Sequence, residues 1–317
     1  MMLEGYLLRP ASYGDLQAIT DVINATEMIE RGEANSTPDE LISSWERPRF
    51  NLDKDAWVVV TNTDPQLVAG YEEVWNRKGF QHFMGDGYVH PSHRNLGIGT
   101  ALIRRMEARV REQLHLAGMG SRVVIQNGVS GADLDGVRLH ENEGYQPVRY
   151  FWRMEINMEQ EPVPAVPVSG IEISRFDSQH DSQKAYQVIT EAFKDHWNYI
   201  RPAYEEWSRI LYKESFEPGA SFIAMKGDQP VGVVLSESQG SEGWVRTLAV
   251  RRNWRRSGIG LLLLRTAFCE FYRKGLAEVG LSVDADSLTG ATRLYEKAGM
   301  HIAHQYIVFE KGIYKGD

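Results

Sequence analysis

Cysteine is almost missing from this chain: a single residue, Cys269, stands among 317. One thiol excludes an internal disulfide framework, and among Phe268, Phe271 and Tyr272 it reads as a core residue rather than a nucleophile. Long apolar runs are missing too, so no membrane span is expected. Met1–Tyr6 lacks a basic region followed by an apolar core, so no export signal is expected and a cytoplasmic location is the simplest reading. There is no excess of positive charge. Thirty-five Lys and Arg against 43 Asp and Glu give a net charge of −8, which argues against nucleic acid as an obligate partner, because proteins that neutralise many phosphates are usually basic. Gly-x-x-x-x-Gly-Lys-Ser/Thr and Gly-x-Gly-x-x-Gly are both absent, which disfavours nucleotide hydrolysis and dinucleotide binding. The close pairs His90/His93 and His301/His304 come without cysteine or carboxylate companions at ligand spacing, so no metal site is expected.

What the chain does carry is local. In Leu248-Ala-Val-Arg-Arg-Asn-Trp-Arg-Arg-Ser-Gly-Ile-Gly260 a short apolar run turns through a basic, glycine-bearing loop. Beyond it, Leu261, Leu264, Phe268, Phe271, Tyr272 and Leu276 recur at the spacing of a buried helical face. The loop therefore feeds a helix N-terminus, where four N–H groups have no intrahelical partner and the peptide dipoles add positive potential. Gly258 and Gly260 remove Cβ atoms that would hold a bulky anion away, and Arg255 and Arg256 add charge. Taken alone, the pattern fits an ordinary strand-to-helix turn with solvated arginines equally well.

A second copy tips the balance. Arg94, Gly97 and Gly99 repeat Arg-x-x-Gly-x-Gly after Val89, and Leu102, Met106, Val110 and Leu114 follow four apart. Arg94 to Arg255 is 161 residues, as is Gly97 to Gly258, a spacing that independent chance matches would rarely preserve. Val-x-Pro-x-x-Arg-x-x-Gly-Ile-Gly before an amphipathic helix resembles the acyl-CoA-binding signature of the GNAT superfamily of N-acetyltransferases. Leu294-Tyr-Glu-Lys-Ala-Gly-Met300 stands where that family carries Leu-Tyr-Glu-x-x-Gly-Phe, and Leu139-His-Glu-Asn-Glu-Gly-Tyr145 holds the same place in the first half.

The expected fold is α+β: two tandem GNAT-like domains, each a mixed central β-sheet flanked by helices. The length suits two domains of roughly 150 residues. Tyr6–Pro10 reads as a first strand, and Ser12–Asp15 as the start of a helix with Leu16, Ile19, Val22 and Ile23 inside. Trp57–Val60 and Leu67–Tyr71 flank a turn sequence and read as a hairpin, while Glu30–Pro48 is polar and poorly periodic. Residues 159–170, with three prolines, break every periodicity and read as an extended linker between an N-terminal domain over 1–158 and a C-terminal domain over 171–317. The pairs Trp45/Trp207 and Gly70/Gly232, 162 apart, support a tandem duplication.

The resemblance implies acetyl-CoA as co-substrate and a primary amine of a small molecule as acceptor, joined by direct attack in a ternary complex. It implies that the donor is held by Leu248, Val250, Arg255, Arg256, Ser257, Gly258, Ile259 and Gly260, and in the first half by Val89, Arg94, Asn95, Leu96, Gly97, Ile98, Gly99 and Thr100. Tyr295 takes the place of the family's general acid; packing of a helix against the sheet is the bland alternative. His140 replaces it in the first half, which puts catalysis there in doubt. Strand alternation places residues 242, 244, 246 and 248 on one face, making Glu242 a candidate base, with Glu237 as competitor. His196, Trp197 and Tyr199 stand where the family binds its acceptor. Asp286–Ala291 lacks the family's usual cofactor-contacting Asn, a contact that falls to Ser287 if it is made at all. Other readings are an acceptor of the cysteinyl-sugar type, a protein acceptor, and an acyl-CoA sensor without turnover. The oligomeric state is not legible in the sequence.

Overall fold

The computed structural model describes residues 4–314 apart from 33, 35, 119, 288 and 289, with the side chains of 78 and 239 also left undescribed. Two compact units result, one of residues 1–150 with 304–317 and the other of 151–303. This corrects a boundary drawn at the linker. The physical reason is strand pairing, since the last strand of each sheet comes from the other half of the sequence.

The N-terminal unit begins with β1 (Tyr6–Pro10), α1 (Leu16–Arg31), α2 (Pro38–Trp45) and α3 (Leu52–Asp55). It continues with β2 (Ala56–Thr61), β3 (Val68–Lys78), β4 (His82–Val89), α4 (Ile98–Gln113), β5 (Val123–Ser130) and α5 (Leu134–Asn142). The next strand, β6 (Gln146–Asn157), carries the chain out of this unit. Ile19, Val22 and Ile23 are buried on the expected face of α1. Helix α2 lies in the stretch that showed no period. Its signal was the capping box Thr37-Pro-Asp-Glu40, in which the Thr37 side chain accepts from the Glu40 amide and Pro38 opens the helix.

In the C-terminal unit, β7 (Glu172–Arg175), α6 (Ser178–Phe193), α7 (Tyr204–Ser208), β8 (Phe222–Lys226) and β9 (Gln229–Gln239) come first. They precede β10 (Glu242–Val250), α8 (Ile259–Arg273), β11 (Glu278–Asp284), α9 (Ala291–Ala298) and β12 (His301–Ile313).

The two sheets mirror each other. One runs β1-β2-β3-β4-β5 and closes on residues 306–313 of β12, antiparallel to β5; the other runs β7-β8-β9-β10-β11 and closes on residues 151–157 of β6, antiparallel to β11. Each sheet buries one face under its signature helix. Ile98, Leu102 and Met106 of α4 pack with Phe83 and Ile125, and Ile259, Leu263 and Phe268 of α8 pack with Val245 and Leu281. Gly70 and Gly232 are the close approaches that allow this, because a Cβ at either would lie within 3.1 Å of the isoleucine that opens the helix, Ile98 or Ile259.

One parallel pair in each sheet opens partway along. β4 meets β5 only over 82–85 against 124–127, and β10 meets β11 only over 242–244 against 278–280. Beyond those points residues 86–89 and 245–250 have no strand partner on that side. Each opening leads to a glycine loop.

Candidate active site

The two loops share a backbone. Asn95 and Arg256 sit at φ 62° and 61°, and Gly97 and Gly258 at 81° and 89°. Only the glycines adopt that region freely; for a residue such as Arg256 it costs about 1 kcal/mol or more, which the surrounding loop must hold in place. Neither Gly97 nor Gly258, the helix caps, offers a side chain to the first turn, so the amides that follow stay bare for an anion. The second glycine of each pair serves packing: a Cβ at Gly99 would lie 2.6 Å from Leu139 of α5, and one at Gly260 2.8 Å from Leu294 of α9.

Charge around the loops differs. Ser257 and Arg256 are exposed, and the Ser257 hydroxyl donates to Trp254 O at 2.6 Å. Arg255 donates to Ala192 O at 2.8 Å, while Arg251 and Arg252 pair with Glu191 and Asp195 of α6 and its C-terminal end. In the N-terminal loop Arg94 binds Asp133 at 3.0 Å and Glu30 at 3.7 Å, so two carboxylates already occupy the guanidinium. Leu96 is exposed, and Ile98, Gly99 and Thr100 open α4. Val89, Leu248 and Val250 lie at the rims of the two cores beside the openings.

Tyr295, on α9, is buried, with 8% of its surface exposed. Burial pushes its pKa up to about 12, so it holds its proton at neutral pH. His140, the equivalent residue, is engaged on both sides: Nδ1 donates to Gly136 O at 2.8 Å and Nε2 accepts from the Asn127 amide at 3.0 Å. Burial lowers its pKa, which favours this neutral tautomer, and the tautomer leaves no proton to give. Ser287 lies in the turn after β11, its amide donating to Asp284 O at 3.0 Å; Leu288 and Thr289 lie outside the described residues.

The expectation that 242, 244, 246 and 248 share a face fails. The register of β10 against β9 slips between Val245 and Thr247, so Arg246 is an extra, bulged residue that reverses the alternation. Leu248 and Val250 consequently face the α8 core, whereas Ala249 faces the core under α6. Glu242 sits at the far end of the strand in an ion pair with Arg153, and Glu237 binds Arg246 at 3.0 Å. A carboxylate held by a guanidinium is a poor proton acceptor, so the geometry does not present either as a free base.

A pocket of about 430 Å³ opens beside the bulge, lined by Ile189, Phe193, Tyr199, Trp207, Trp244, Arg246 and neighbours, with no carboxylate among them. Tyr199 reaches it with a buried hydroxyl that has no partner among the described residues. The His196 ring lies 4.3 Å from that of Phe193 at a tilt of 47°, and the Trp197 ring lies 6.4 Å from that of Phe151; neither residue lines the pocket. In the N-terminal unit a pocket of about 280 Å³ runs past the loop to a different chemistry, with Glu27, Glu30, Glu72, Asp86 and Asp133 in its wall. The sequence reading missed this acidic wall and the bulge. Charged residues at 72, 73 and 86 inside otherwise apolar strands were the available signal for the first; no residue pattern announces the second.

Each unit has a parallel strand pair that parts beside a loop of bare helix amides, and together they make a tandem α+β fold. The chain belongs to the acetyltransferase (GNAT) family, whose model matches residues 21–145 and again 183–300. It is similar to the mycothiol acetyltransferase of Geodermatophilus obscurus, 28% identical over 76% of this chain and 78% of that one, and to that of Nocardia farcinica, 27% identical over 76% and 78%. Among solved structures, a GCN5-related N-acetyltransferase from Sphaerobacter thermophilus superposes with TM-score 0.85 at 32% identity, covering 100% of this chain and 98% of that one. A tandem GNAT protein from the clavulanic acid biosynthesis pathway superposes with TM-score 0.77 at 15% identity, covering 98% and 100%, which speaks for the fold alone. The protein is thus an N-acetyltransferase, and the donor used by its family is acetyl-CoA.

Proposed function

We propose that the C-terminal unit moves an acetyl group from acetyl-CoA to a primary amine of a small molecule, by direct attack in a ternary complex, and that the N-terminal unit does not turn over. The observation that carries this reading is the coincidence, in one unit, of a bulged open strand, a bare-amide helix mouth and a buried tyrosine on α9.

The residues present suit the donor. Gly258 brings no side chain to the amides of 256–260, where a diphosphate would lie, and the unpaired edge of β10 at Leu248 and Val250 offers backbone groups to an extended amide-bearing arm; Ser287 adds a hydroxyl. Bound acetyl-CoA supplies the activated acetyl thioester. A bulge frees a backbone N–H from the ladder, and at Arg246–Thr247 such a donor can face the carbonyl oxygen as it gains charge. Tyr295 gives its proton to the departing sulfur. The apolar surroundings that penalise its phenolate penalise the thiolate as well, so proton transfer is not opposed by the raised pKa of the phenol alone. With Glu237 and Glu242 both held by arginines, the amine loses its proton to water.

Aromatic walls support a small acceptor over a peptide, with Tyr199 orienting it and His196 and Trp197 as its flank. A narrower reading, a cysteinyl sugar of the mycothiol type, draws support from relatives of that name aligning over three quarters of the chain. Thiol release from acetyl-CoA, measured across a panel of amines that includes a cysteinyl amino sugar, tests both. Tyr295→Phe should lower kcat by about 100-fold or more while acetyl-CoA affinity stays within twofold. Unchanged turnover would remove Tyr295 as the acid, and absence of turnover with every amine would favour the sensor reading.

A further inference from the structure

In the N-terminal unit two carboxyl groups that line one pocket form no ion pair among the described residues, although Arg31 and Arg94 line the same pocket. Glu72 of β3 is 3% exposed, lines the pocket, and has no hydrogen bond or ion pair among the described residues; its Oε1 is fully buried. Asp86 of β4 lies directly across from Glu73, and its recorded partner is the Tyr88 hydroxyl, at 3.3 Å. Glu73 is different, being satisfied by Arg47 at 2.6 Å, Ser44 and Tyr71. A buried carboxyl without a partner costs several kcal/mol if ionised and still about 1–3 kcal/mol as an unmet polar group. Asn127 adds a second buried oxygen without a partner to the same wall.

We propose that this pocket is a binding site for a small organic ammonium ion, held by Glu72 and Asp86 without being acetylated there. Three observations lead to that class of ligand. The oxygens left over are acceptors, so the ligand must donate. Ile98, Leu102, Ile103, Val129 and Leu139 form an apolar part of the wall, which suits a carbon skeleton rather than a hydrated ion. Among the described residues no group of three or more His, Cys, Asp or Glu is arranged to hold a metal. Turnover is excluded on the geometry of His140, which has no proton to give a thiolate, and on the unbroken register of β4 with β3 from Gly70↔Val89 to Trp75↔Met84, which contains no bulge.

Protonation responds to the ligand. Burial, reinforced by Asp86 and Glu73, holds Glu72 well above the usual carboxylate range, and burial with Glu73 brings Asp86 to about 7. The other ionisable groups around them are Glu27, Glu30 and Arg31 on α1, Arg47 after α2, Tyr88 on β4, His93 and Arg94 at the loop, Asp133 before α5, and Asp135 and His140 on it. A cation entering among these groups favours the ionised carboxylates, so binding releases protons and tightens as pH rises through about 7.

Calorimetry on the full chain without acetyl-CoA, with n-butylammonium as probe and n-butanol as its uncharged counterpart, decides the matter. The cation should bind at one site at least tenfold more tightly than the alcohol. Measured in two buffers of different ionisation enthalpy at pH 7, binding should release part of a proton. Glu72→Gln with Asp86→Asn should weaken the cation at least tenfold, whereas any binding at the C-terminal acceptor pocket would survive that change. Equal affinity for cation and alcohol, or no proton release from the unaltered protein, would overturn the proposal even if the double variant failed to fold. Because nothing here depends on acetyl transfer, the result stands apart from the fate of Tyr295.

Discussion

The two loops of this chain are near copies in backbone, yet what surrounds them has diverged in opposite senses. At the C-terminal loop the cations are plentiful and Arg256 is exposed, while the neighbouring pocket carries no carboxylate. At the N-terminal loop the one arginine is taken by Asp133 and Glu30, and the pocket beyond it is acidic. Duplication kept the fold-determining features, which are the αL positions, the glycine under each helix and the splayed strand. Two features differ between the halves: the bulge at Arg246 and the phenol of Tyr295, where the other half carries His140. A loop conserved between the halves thus reports on the scaffold, and the side chains aimed into each opening report on chemistry.

The largest effect that would sharpen this contrast comes from the glycines. At φ 89° an alanine at 258 strains the loop and pushes Cβ toward the bare amides. Gly258→Ala should raise the acetyl-CoA KM by about 10- to 100-fold, on the scale of 1.4 kcal/mol per factor of ten. Gly97→Ala, the same change at φ 81°, should leave turnover within about twofold. Comparable losses from both, measured by initial rates over acetyl-CoA concentration, would mean that the two loops serve one reaction.

Much of this was legible beforehand because the signals are local. The glycine loops, the hairpin turns and the amphipathic faces each depend on residues a few positions apart, and the 161-residue offset made each half a check on the other. Three features were not local. The pairing of Tyr306–Ile313 with β5 joins residues over 170 positions apart, and nothing in the aromatic run from Gly144 to Met158 says which sheet it completes. The bulge at Arg246 is a register event between two strands, so simple alternation put Glu242 and Leu248 on one face when they lie on opposite faces. Glu72 and Asp86 read as ordinary polar strand positions until the pocket places them together.

A middle-sized effect tests why the N-terminal loop differs. Removing Asp133 frees one side of Arg94, which Glu30 at 3.7 Å holds less closely. Asp133→Ala should strengthen acetyl-CoA binding at the N-terminal loop by about three- to tenfold, the worth of a partly buried charge contact. Calorimetry on a Gly258→Ala background isolates that site. If the affinity there is unchanged, the carboxylates are incidental to donor binding and the divergence of the loops lies in their backbone.

The smallest effect concerns stability and runs against function. Asp86 has its pKa raised from 3.8 to about 7, chiefly by burial and then by Glu73, so the folded chain keeps a proton that the unfolded chain gives up between those values. The stability this group contributes is complete below about pH 4 and is lost as pH rises through about 7. Three pK units set an upper limit of about 4 kcal/mol; water reaching the pocket reduces this to roughly 2 kcal/mol, or about 4–8 °C in the melting of a unit this size. Asp86→Asn removes the titration. Its melting temperature should match that of the unaltered protein near pH 4 and exceed it by those few degrees at pH 8. A stabilising loss of a carboxylate is expected where charge is kept for a ligand and not for the fold, so a variant that melts lower at pH 8 would mean that Asp86 supports the structure and that the contrast between the two pockets has no functional content.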